Sequence, residues 1–517
     1  MNNKTYNVGI DLGNENSSVA ITVGEHARIV AEDKSVAYYS HNKGTLIFGN
    51  ESLEIANAER NQKSVIKYFK SDIRKISNLE LNNKEVFNSN GKTFSINEVV
   101  IGFAKYALDI AIKKMKEMHF VDEATGYSDI ELTISTPAGL GSENSRNSAS
   151  EYNKYILKGI SEATGIAMER IHIIEEPKAA AFAYVKDSLV MGNQIVLVLD
   201  VGAGTTDVAI VERSGDRINV IKCYGDIAIG GRNFDTILQN MAKSKGGISK
   251  NATLEEISRF EDDIHRAKHI LSNEQFATIP KGDDDFLTIS RTQFESESSA
   301  ELKKIEAVVD SCMKEYSGRI DKIVLVGGAS AMPMVRNMMI RKFKSRVSES
   351  NIVAFKPSEA IALGNAYYSY FKTNYVSSKI SDVIQHSYGV LCRSDEGPYI
   401  SNIIIKGSPI DNLCGGVEVK SDGKFIPYEK KQEVVTIEVF ENDSTKQVVP
   451  VEYAKMHGSK CTIDVPKKYY KAWFGEKSHK FAFDITLKMH NSTIDITLHD
   501  KKGNRIPHRE ESQTHAM

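Results

Sequence analysis

The sequence predicts an α/β fold of two related halves followed by a domain of short strands, and three observations carry that reading. Ile195-Val-Leu-Val-Leu-Asp200-Val-Gly202-Ala203-Gly204-Thr205-Thr206-Asp207 is an apolar run ending in a glycine turn, and Val208–Val211 then resumes the apolar run. That pattern is a buried strand bent into a β-hairpin. Val8-Gly-Ile-Asp11-Leu-Gly13-Asn14-Glu15-Asn16, with Ser18–Val23 behind it, repeats strand, Asp-x-Gly, turn and strand. From about Lys379 onward, helical spacing gives way to short alternating runs.

The elements follow in order. Asn57–Lys75 is basic and mixed and contains Tyr68-Phe69-Lys70. Ile96–Met118 has apolar residues at helical spacing, from Val99 and Phe103 to Ala107 and Ile110. Ile130–Pro137 alternates like a strand and stops at its proline, and Ser145–Gly165 reads as a helix ended by its glycine. Ile171–Ile174 is a short strand, after which Glu175-Glu176-Pro177-Lys178-Ala179-Ala180-Ala181 opens a helix of small residues. Beyond the central hairpin, Gly225–Asp235 is a glycine turn feeding a helix, and Leu254–Leu271 is a charged amphipathic helix leading to Ser272. Ser290 starts a periodic stretch that continues to Tyr316. Ile323–Ser330 is another buried strand ending in glycines, with Pro333 where a helix would begin. Lys356–Ala366 opens a helix with small residues on one face, and that face suits a close crossing with Ala179–Ala181. The later runs, Ile403–Ile405, Val434–Phe440, Cys461–Val465, Phe481–Met489 and Thr493–Leu498, are separated by Gly/Asn/Asp turns, as in a β-sandwich. The domain boundary falls near 375–385, and the end from Arg505 reads as polar and frayed.

Composition limits the function classes. At 517 residues the chain has room for two or three domains. A net charge of -2 with 26% charged residues supplies no basic field for nucleic acid, and Lys113-Lys114 and Lys467-Lys468 read as solvated faces. The five cysteines show no CxxC spacing, which suits reduced core thiols rather than zinc or a disulfide frame. The N-terminus has no apolar signal region, and no stretch approaches the ~18 apolar residues of a membrane helix. The expectation is a soluble, cytoplasmic protein with no membrane partner.

The glycine turns suggest the chemistry. Gly202 and Gly204 let a ligand approach the main chain, whose N–H groups, with the Thr205 and Thr206 hydroxyls, suit an anion. Asp200 and Asp207 suit a hydrated magnesium ion. Two such hairpins imply half-domains facing each other across a nucleotide. Neither a GxxxxGK[ST] loop nor a Rossmann fingerprint occurs.

In this order the motifs resemble those of the heat-shock protein 70 chaperone family, which has the actin and sugar-kinase ATPase fold. The motifs that carry the resemblance are Asp11–Asn16, Glu176–Ala181, Asp200–Asp207, Gly327–Pro333 and Lys356–Ala366. Gly230-Gly231-x-x-Phe234-Asp235, Ala267-Lys268-x-x-Leu271-Ser272 and Arg291-x-x-Phe294-Glu295 support it, and Val435–Glu441 and Phe483–Asp500 extend it more weakly. The resemblance implies a two-lobed actin-like ATPase domain of ribonuclease H-like repeats over residues 1–375 and a linker over 376–384. A β-sandwich resembling a substrate-binding domain would cover 385–504, with a polar tail over 505–517.

It also implies a slow ATPase using ATP/ADP and Mg²⁺, with K⁺ as a further candidate ion. Asp11 and Asp200 would hold the metal's water shell. Gly13, Asn14, Glu15, Gly202, Ala203, Gly204, Thr205 and Thr206 would line the phosphates, with Gly230 and Gly231 nearby. Lys70 would position the attacking water, with Lys67 the alternative at that spacing, and Glu176 would couple to the metal shell. Asp200 and Thr205 complete the catalytic set. Lys268, His269 and Ser272 would touch adenosine, with Gly327, Gly328, Ala329 and Ser330 beneath it. Pro137 and Arg146 would relay the nucleotide state to the sandwich. The implied partners are unfolded or extended polypeptide, a J-domain co-chaperone and a nucleotide exchange factor, around a monomer or weak oligomer.

The departures from the family are specific. Asn14 and Glu15 stand where it has two threonines, His269 and Ala331 where it has two arginines, His265 for a glutamate, Ser358 for an aspartate and Lys178 for a threonine. A carboxylate at a phosphate turn repels phosphate unless it faces away or meets a cation. The linker Tyr375–Asp382 is polar, and the length after Asp500 leaves no room for the family's helical lid, so fast substrate exchange is expected. Two other readings use the same residues: a nucleotide-held scaffold or regulator without turnover, and an actin-like small-molecule kinase or filament former. His265 and His269 read as exposed helix residues, and Trp473 as packing.

Overall fold

The computed structural model describes residues 5–70, 85–138, 149–187, 192–214, 217–249, 251–281, 285–314, 316–374, 380–384, 386–406, 408–410, 417–429, 432–442, 444–467, 481–490 and 493–510. Arg146 and Trp473 lie outside them. The chain divides into two compact units, Met1–Asn147 with Tyr155–Tyr375, and Ser148–Lys154 with Val376–Met517.

The first unit is a duplication. β1 (Tyr6–Asp11), β2 (Asn16–Val23), β3 (His26–Lys34), β4 (Ile130–Thr136) and β5 (Ile171–Glu175) form one sheet in the order β5-β4-β1-β2-β3. β6 (Gln194–Val201), β7 (Thr206–Ser214), β8 (Arg217–Asp226), β9 (Lys322–Val326) and β10 (Ile352–Ala354) repeat that order as β10-β9-β6-β7-β8. In each half the first three strands are antiparallel, the fourth joins β1 or β6 in parallel, and the fifth joins the fourth in parallel. Strands buried on both faces read as continuous apolar runs, and Val196–Leu199 and Ile323–Val326 are accordingly almost fully buried.

Each half then sends a helix into the other. α1 (Glu176–Asp187) follows β5 yet packs against β6 and β7, whereas α5 (Ala360–Asn374) follows β10 and packs against β1, β2 and β4. The helices α2 (Gly231–Ser244), α3 (Leu254–Asn273) and α4 (Pro333–Phe343) belong to the second half, whose core joins Leu197, Leu199, Phe234, Leu238, Ile264 and Val335. α1 and α5 cross at backbone contact, since a Cβ added at Gly364 would lie 1.8 Å from the Ala179 carbonyl oxygen, and α5 meets β1 as closely, a Cβ at Gly9 lying 2.2 Å from Ala366 N. Ala20, Ala183, Ala362, Leu363 and Ala366 fill the crossing. Polar bonds fix α5 on the first sheet. Asn365 Nδ2 donates to Ile10 O (2.8 Å) and Ser135 Oγ (3.1 Å), and Ser369 Oγ donates to Val8 O (3.2 Å).

The structure adds elements that the apolar pattern does not announce. Strands Val36–Ser40 and Thr45–Phe48, the helix Gly49–Ala58 and the hairpin Glu85–Ser95 lie between β3 and β4, and the hairpin Phe276–Ser290 follows α3. The periodic stretch after Ser290 is two helices, Arg291–Glu297 and Ser299–Met313, because the chain turns at Ser298. Ser290 caps the first of them by accepting from Gln293 N at 3.3 Å.

The second unit is a sandwich. β11 (Ser387–Ser394), β12 (Gly397–Ile404), β13 (Val417–Lys420), β14 (Val434–Asn442), β15 (Val448–Pro450), β16 (Ala454–Asp464), β17 (Phe483–His490), β18 (Thr493–Asp500) and β19 (Arg509–Glu510) form sheets β15-β12-β11-β14-β16-β19 and β13-β17-β18. Val390, Ile437, Val439, Ile463, Ile485, Leu487 and Leu498 from both sheets share one core. The polar end is not frayed as far as residue 510: Ile506 N donates to Leu498 O, and Arg509 grips both Asp464 oxygens at 2.9 and 2.8 Å. Among the described residues no helix is long and apolar enough to cross a membrane.

The crossing sets the first stability expectation. Gly364→Val should destabilise the first unit by about 3 kcal/mol, because its backbone neighbours cannot yield to an added side chain. Urea unfolding followed by far-UV circular dichroism reads the midpoint, and an unchanged midpoint would show that the two helices can move apart.

Candidate functional site

The carboxyl ends of the parallel strands in both sheets converge on one place, the usual position of a ligand crevice in open α/β sheets. Asp11 ends β1, Asp200 lies at the end of β6, and Glu176 starts α1 directly after β5. Asp207 sits opposite Asp200 in the β6–β7 pair, so both carboxylates share one face of the hairpin, whereas the first hairpin pairs Asp11 with Ser18. Lys70 brings the cation. Its Nζ lies 2.7 Å from Glu176 Oε1, and both side chains are buried. Lys67 instead lines the open cleft, so geometry selects Lys70 over its neighbour.

The charge balance of this cluster is negative. Burial pushes the Asp11 carboxyl up to about 7, with Lys70 pulling it down and Glu176 pushing it further up. Asp200 is raised well above the usual carboxylate range by burial and then by Glu176, Asp207 and Asp11, against Lys70. Asp200 Oδ1 is buried without a hydrogen-bond partner, and Gly327 leaves room for it, since a Cβ there would lie 2.2 Å away. An orphaned buried carboxylate oxygen beside excess negative charge fits a divalent cation. Among the described residues no group of three or more His, Cys, Asp or Glu side chains could hold a metal ion directly. The donor set therefore suits a cation that keeps its water shell, with Asp11 and Asp200 bonding to that water.

The two turns face a cleft of about 1050 Å³, to which Asn14, Glu15 and Gly204 all contribute. Gly13 is required by its own turn, because a Cβ there would meet Asn16 O at 1.9 Å. Several residues expected at phosphate also shape the second turn. Gly202 N–H is taken by Thr205 O (3.0 Å), and the Thr206 hydroxyl donates to Ile229 O (3.0 Å) from within β7. Gly231 N–H donates to Gly202 O (2.9 Å) and Arg232 N–H to Ala203 O (2.8 Å), while Gly230 packs against the Gly204 backbone. Gly230 and Gly231 are thus a brace behind the turn, and Gly230 is glycine because a Cβ there would lie 2.7 Å from Thr205 N. Thr205 is buried in the turn, and Ala203 and Gly204 are half-buried.

The expected adenosine residues divide in the same way. Lys268 is buried on Asp235 (2.7 Å) and Gly231 O (3.3 Å), Ser272 Oγ bonds back to Lys268 O (3.3 Å), and Ser330 Oγ donates to Gly327 O (2.7 Å). Ala329 is buried beside Gly231. His269, Ala331 and Gly328 are exposed, and Gly328 faces open space. Pro137 is buried at the end of β4, where the next residue, Ala138, donates its N–H to Asp207 Oδ1 (2.8 Å).

His265 belongs to the site, contrary to its reading as an exposed helix residue. Its Nε2 lies 2.8 Å from Glu15 Oε1 and its Nδ1 3.7 Å from Asp235, and Lys34 Nζ reaches the same Glu15 oxygen at 3.4 Å. Burial raises the Glu15 carboxyl, but the His265 hydrogen bond and charge, with Lys34 and Lys268, outweigh it and hold the group down at about 2. Asp235 and then Glu15 lift His265 to about 9, against burial. The carboxylate at the phosphate turn is therefore compensated by cations, which meets the repulsion expected of it. Two departures 250 residues apart, in no common motif, gave no sequence signal for this pairing.

A family model described as Hsp70 protein matches residues 152–449, more than half of the chain. The chain belongs to the Hsp70 family. Its first unit has the actin-like ATPase fold of that family, and its second a β-sandwich. Heat shock 70 kDa protein BIP3 of Oryza sativa subsp. japonica is 25% identical over 463 residues, 84% of this chain and 66% of the relative. Chaperone protein DnaK of Prochlorococcus marinus (strain MIT 9515) is 27% identical over 388 residues, 69% and 58% of the two chains. Heat shock cognate 70 kDa protein 3 of Dictyostelium discoideum is 26% identical over 480 residues, 85% and 71%. The chain spans about two thirds of the length of the curated relatives it matches.

The Glu15–His265 pair in this Hsp70-family chain has a defined pH signature. Because folding raises the histidine from 6.5 to about 9, its contribution is complete below pH 6.5 and is lost as pH rises through 9. Because folding lowers the glutamate from 4.5 to about 2, its contribution is complete above pH 4.5 and is lost as pH falls through 2. His265→Gln should therefore cost most stability between pH 4.5 and 6.5 and progressively less towards pH 9. Denaturant midpoints of both proteins across that range check this, and a pH-independent difference would show that the imidazole acts through packing.

Proposed function

We propose that the chain is an ATP-driven chaperone in which the first unit binds and slowly hydrolyses ATP with Mg²⁺, and the β-sandwich binds extended polypeptide. The observation that carries the reading is the buried set Asp11, Lys70, Glu176 and Asp200 at the facing ends of the two sheets, with Asp200 Oδ1 lacking a protein partner. Family membership and relatives named as chaperones support the same class.

Attack by water on a γ-phosphate needs positioning and charge neutralisation rather than a covalent protein intermediate. Magnesium, when bound, neutralises charge on the phosphate oxygens, and its waters would be accepted by Asp11 and Asp200. Glu176 holds the Lys70 ammonium at 2.7 Å, which fixes its positive charge beside Asp11 and Asp200, where the attacking water would be positioned. The Gly231–Gly202 and Arg232–Ala203 bonds hold the second turn rigid, so its geometry costs no reorganisation during reaction. Potassium, J-domain and exchange-factor partners, a cytoplasmic location and a monomeric or weakly associated state belong to the same proposal.

Calorimetric ATP binding and single-turnover hydrolysis test it. Lys70→Met should lower the single-turnover rate about 100-fold while ATP affinity changes only a few-fold. Asp200→Asn should weaken Mg²⁺-dependent binding. Wild-type binding with no turnover would replace the engine by a nucleotide-held scaffold, and absence of binding would overturn both readings.

A further inference from the structure

Glu15 and His265 come from opposite halves of the first unit. Glu15 is on the turn between β1 and β2, and His265 is on α3, so their 2.8 Å contact bridges the cleft at the phosphate turn. It is the middle link of a chain of charges. Lys34 on β3 approaches Glu15, and His265 faces Asp235 on α2. Asp235 holds Lys268, whose Nζ donates to Gly231 O. Gly231 N–H in turn holds Gly202 O in the second turn. One continuous line therefore ties the first turn to the brace of the second. A second bridge lies beside it, with the Arg232 guanidinium stacked 4.0 Å over the Tyr68 ring.

We propose that the Glu15–His265 contact is a clasp that holds the two halves closed over the cleft, and that His265 is thereby a positioning residue which retains nucleotide. Separation of the halves must break this charge-assisted bond, whereas every other link in the line lies within one half. The bond sits on the phosphate turn itself, so opening the clasp and loosening the turn are one event. Its cost also depends on the protein environment: Glu15 is three-quarters buried and His265 about two-thirds, which limits screening by salt. Losing His265 has a second effect, because it leaves the Glu15 charge facing any bound phosphate. Neutralising Glu15 breaks the clasp without that repulsion. The groups facing the pair are Lys34, Asp235, Lys268, His269 and Tyr68, and His269 Nε2 lies 3.0 Å from His265 Nε2.

The effect on nucleotide rests on the ATPase reading; the clasp itself does not. The test uses the full chain as wild type, His265→Asn, Glu15→Gln and the double variant, each shown folded by circular dichroism. Release of a fluorescent ADP analogue with Mg²⁺ is followed by chase. Both single variants should release it about 10-fold to 100-fold faster, and the double variant no faster than His265→Asn. Association should slow for His265→Asn and not for Glu15→Gln. Wild-type release rates in both single variants, or multiplicative effects in the double, would overturn the clasp. Hydrogen exchange without nucleotide gives the independent reading over residues 12–17 and 253–273. Faster exchange of both segments in the variants supports the clasp even if no variant binds nucleotide, and unchanged exchange overturns it.

Discussion

The backbone contact between α1 and α5 is the constraint on which the first unit depends. Gly364 meets the Ala179 carbonyl where no side chain fits, and the next residue, Asn365, donates to Ile10 O. Ile10 immediately precedes Asp11, and Ala179 lies one turn from Glu176. The crossing therefore sets the separation of two acidic residues that come from distant parts of the chain. Because each helix follows one sheet and packs on the other, the same contact also joins the two halves. Small residues at this point are a geometric requirement rather than a helix preference.

Charge is the second organising factor. Asp11, Glu176, Asp200 and Asp207 gather around a single lysine, an arrangement that costs stability unless protons or a cation offset it. Beside this cluster several polar groups close on the protein itself. Thr206, Ser330, Ser272 and Lys268 all bond to backbone or to Asp235. Asp200 Oδ1 is one of several buried polar atoms without a hydrogen-bond partner, and what sets it apart is its place among the carboxylates of Glu176, Asp207 and Asp11. Glu15 obeys the same rule at the cleft mouth, where a carboxylate near the expected phosphate position is compensated by His265 and Lys34.

Much of the fold was legible along the chain. The duplicated Asp-x-Gly hairpins, the alanine-rich start of α1, the small face of α5 and the alternating C-terminal runs are local patterns, and local patterns reflect burial directly. The hairpins around residues 36–48, 85–95 and 276–290 were not: Val36–Ser40 is a short and mostly buried run, and although burial alternates along 276–280 and 286–290, the exposed Phe276 and Phe286 break the apolar pattern. The break at Ser298 was also hidden, since the apolar spacing continues through it.

The sequence by itself determined the two-half architecture, the identity of Asp11, Glu176 and Asp200 as the acidic centre, and the change to a sandwich near residue 380. The architecture and the change to a sandwich follow from residue type at local spacing, whereas the grouping of Glu176 with Asp11 and Asp200 was implied by the resemblance to the Hsp70 family. Only the tertiary structure decided which hydrogen-bonding groups remain for a ligand. It assigned Gly230, Gly231, Thr206 and Ser330 to bracing, preferred Lys70 to Lys67, and joined His265 to Glu15 across 250 residues of chain. Spacing shows where a donor sits in the chain. Whether its bond is already taken depends on partners that only folding brings near.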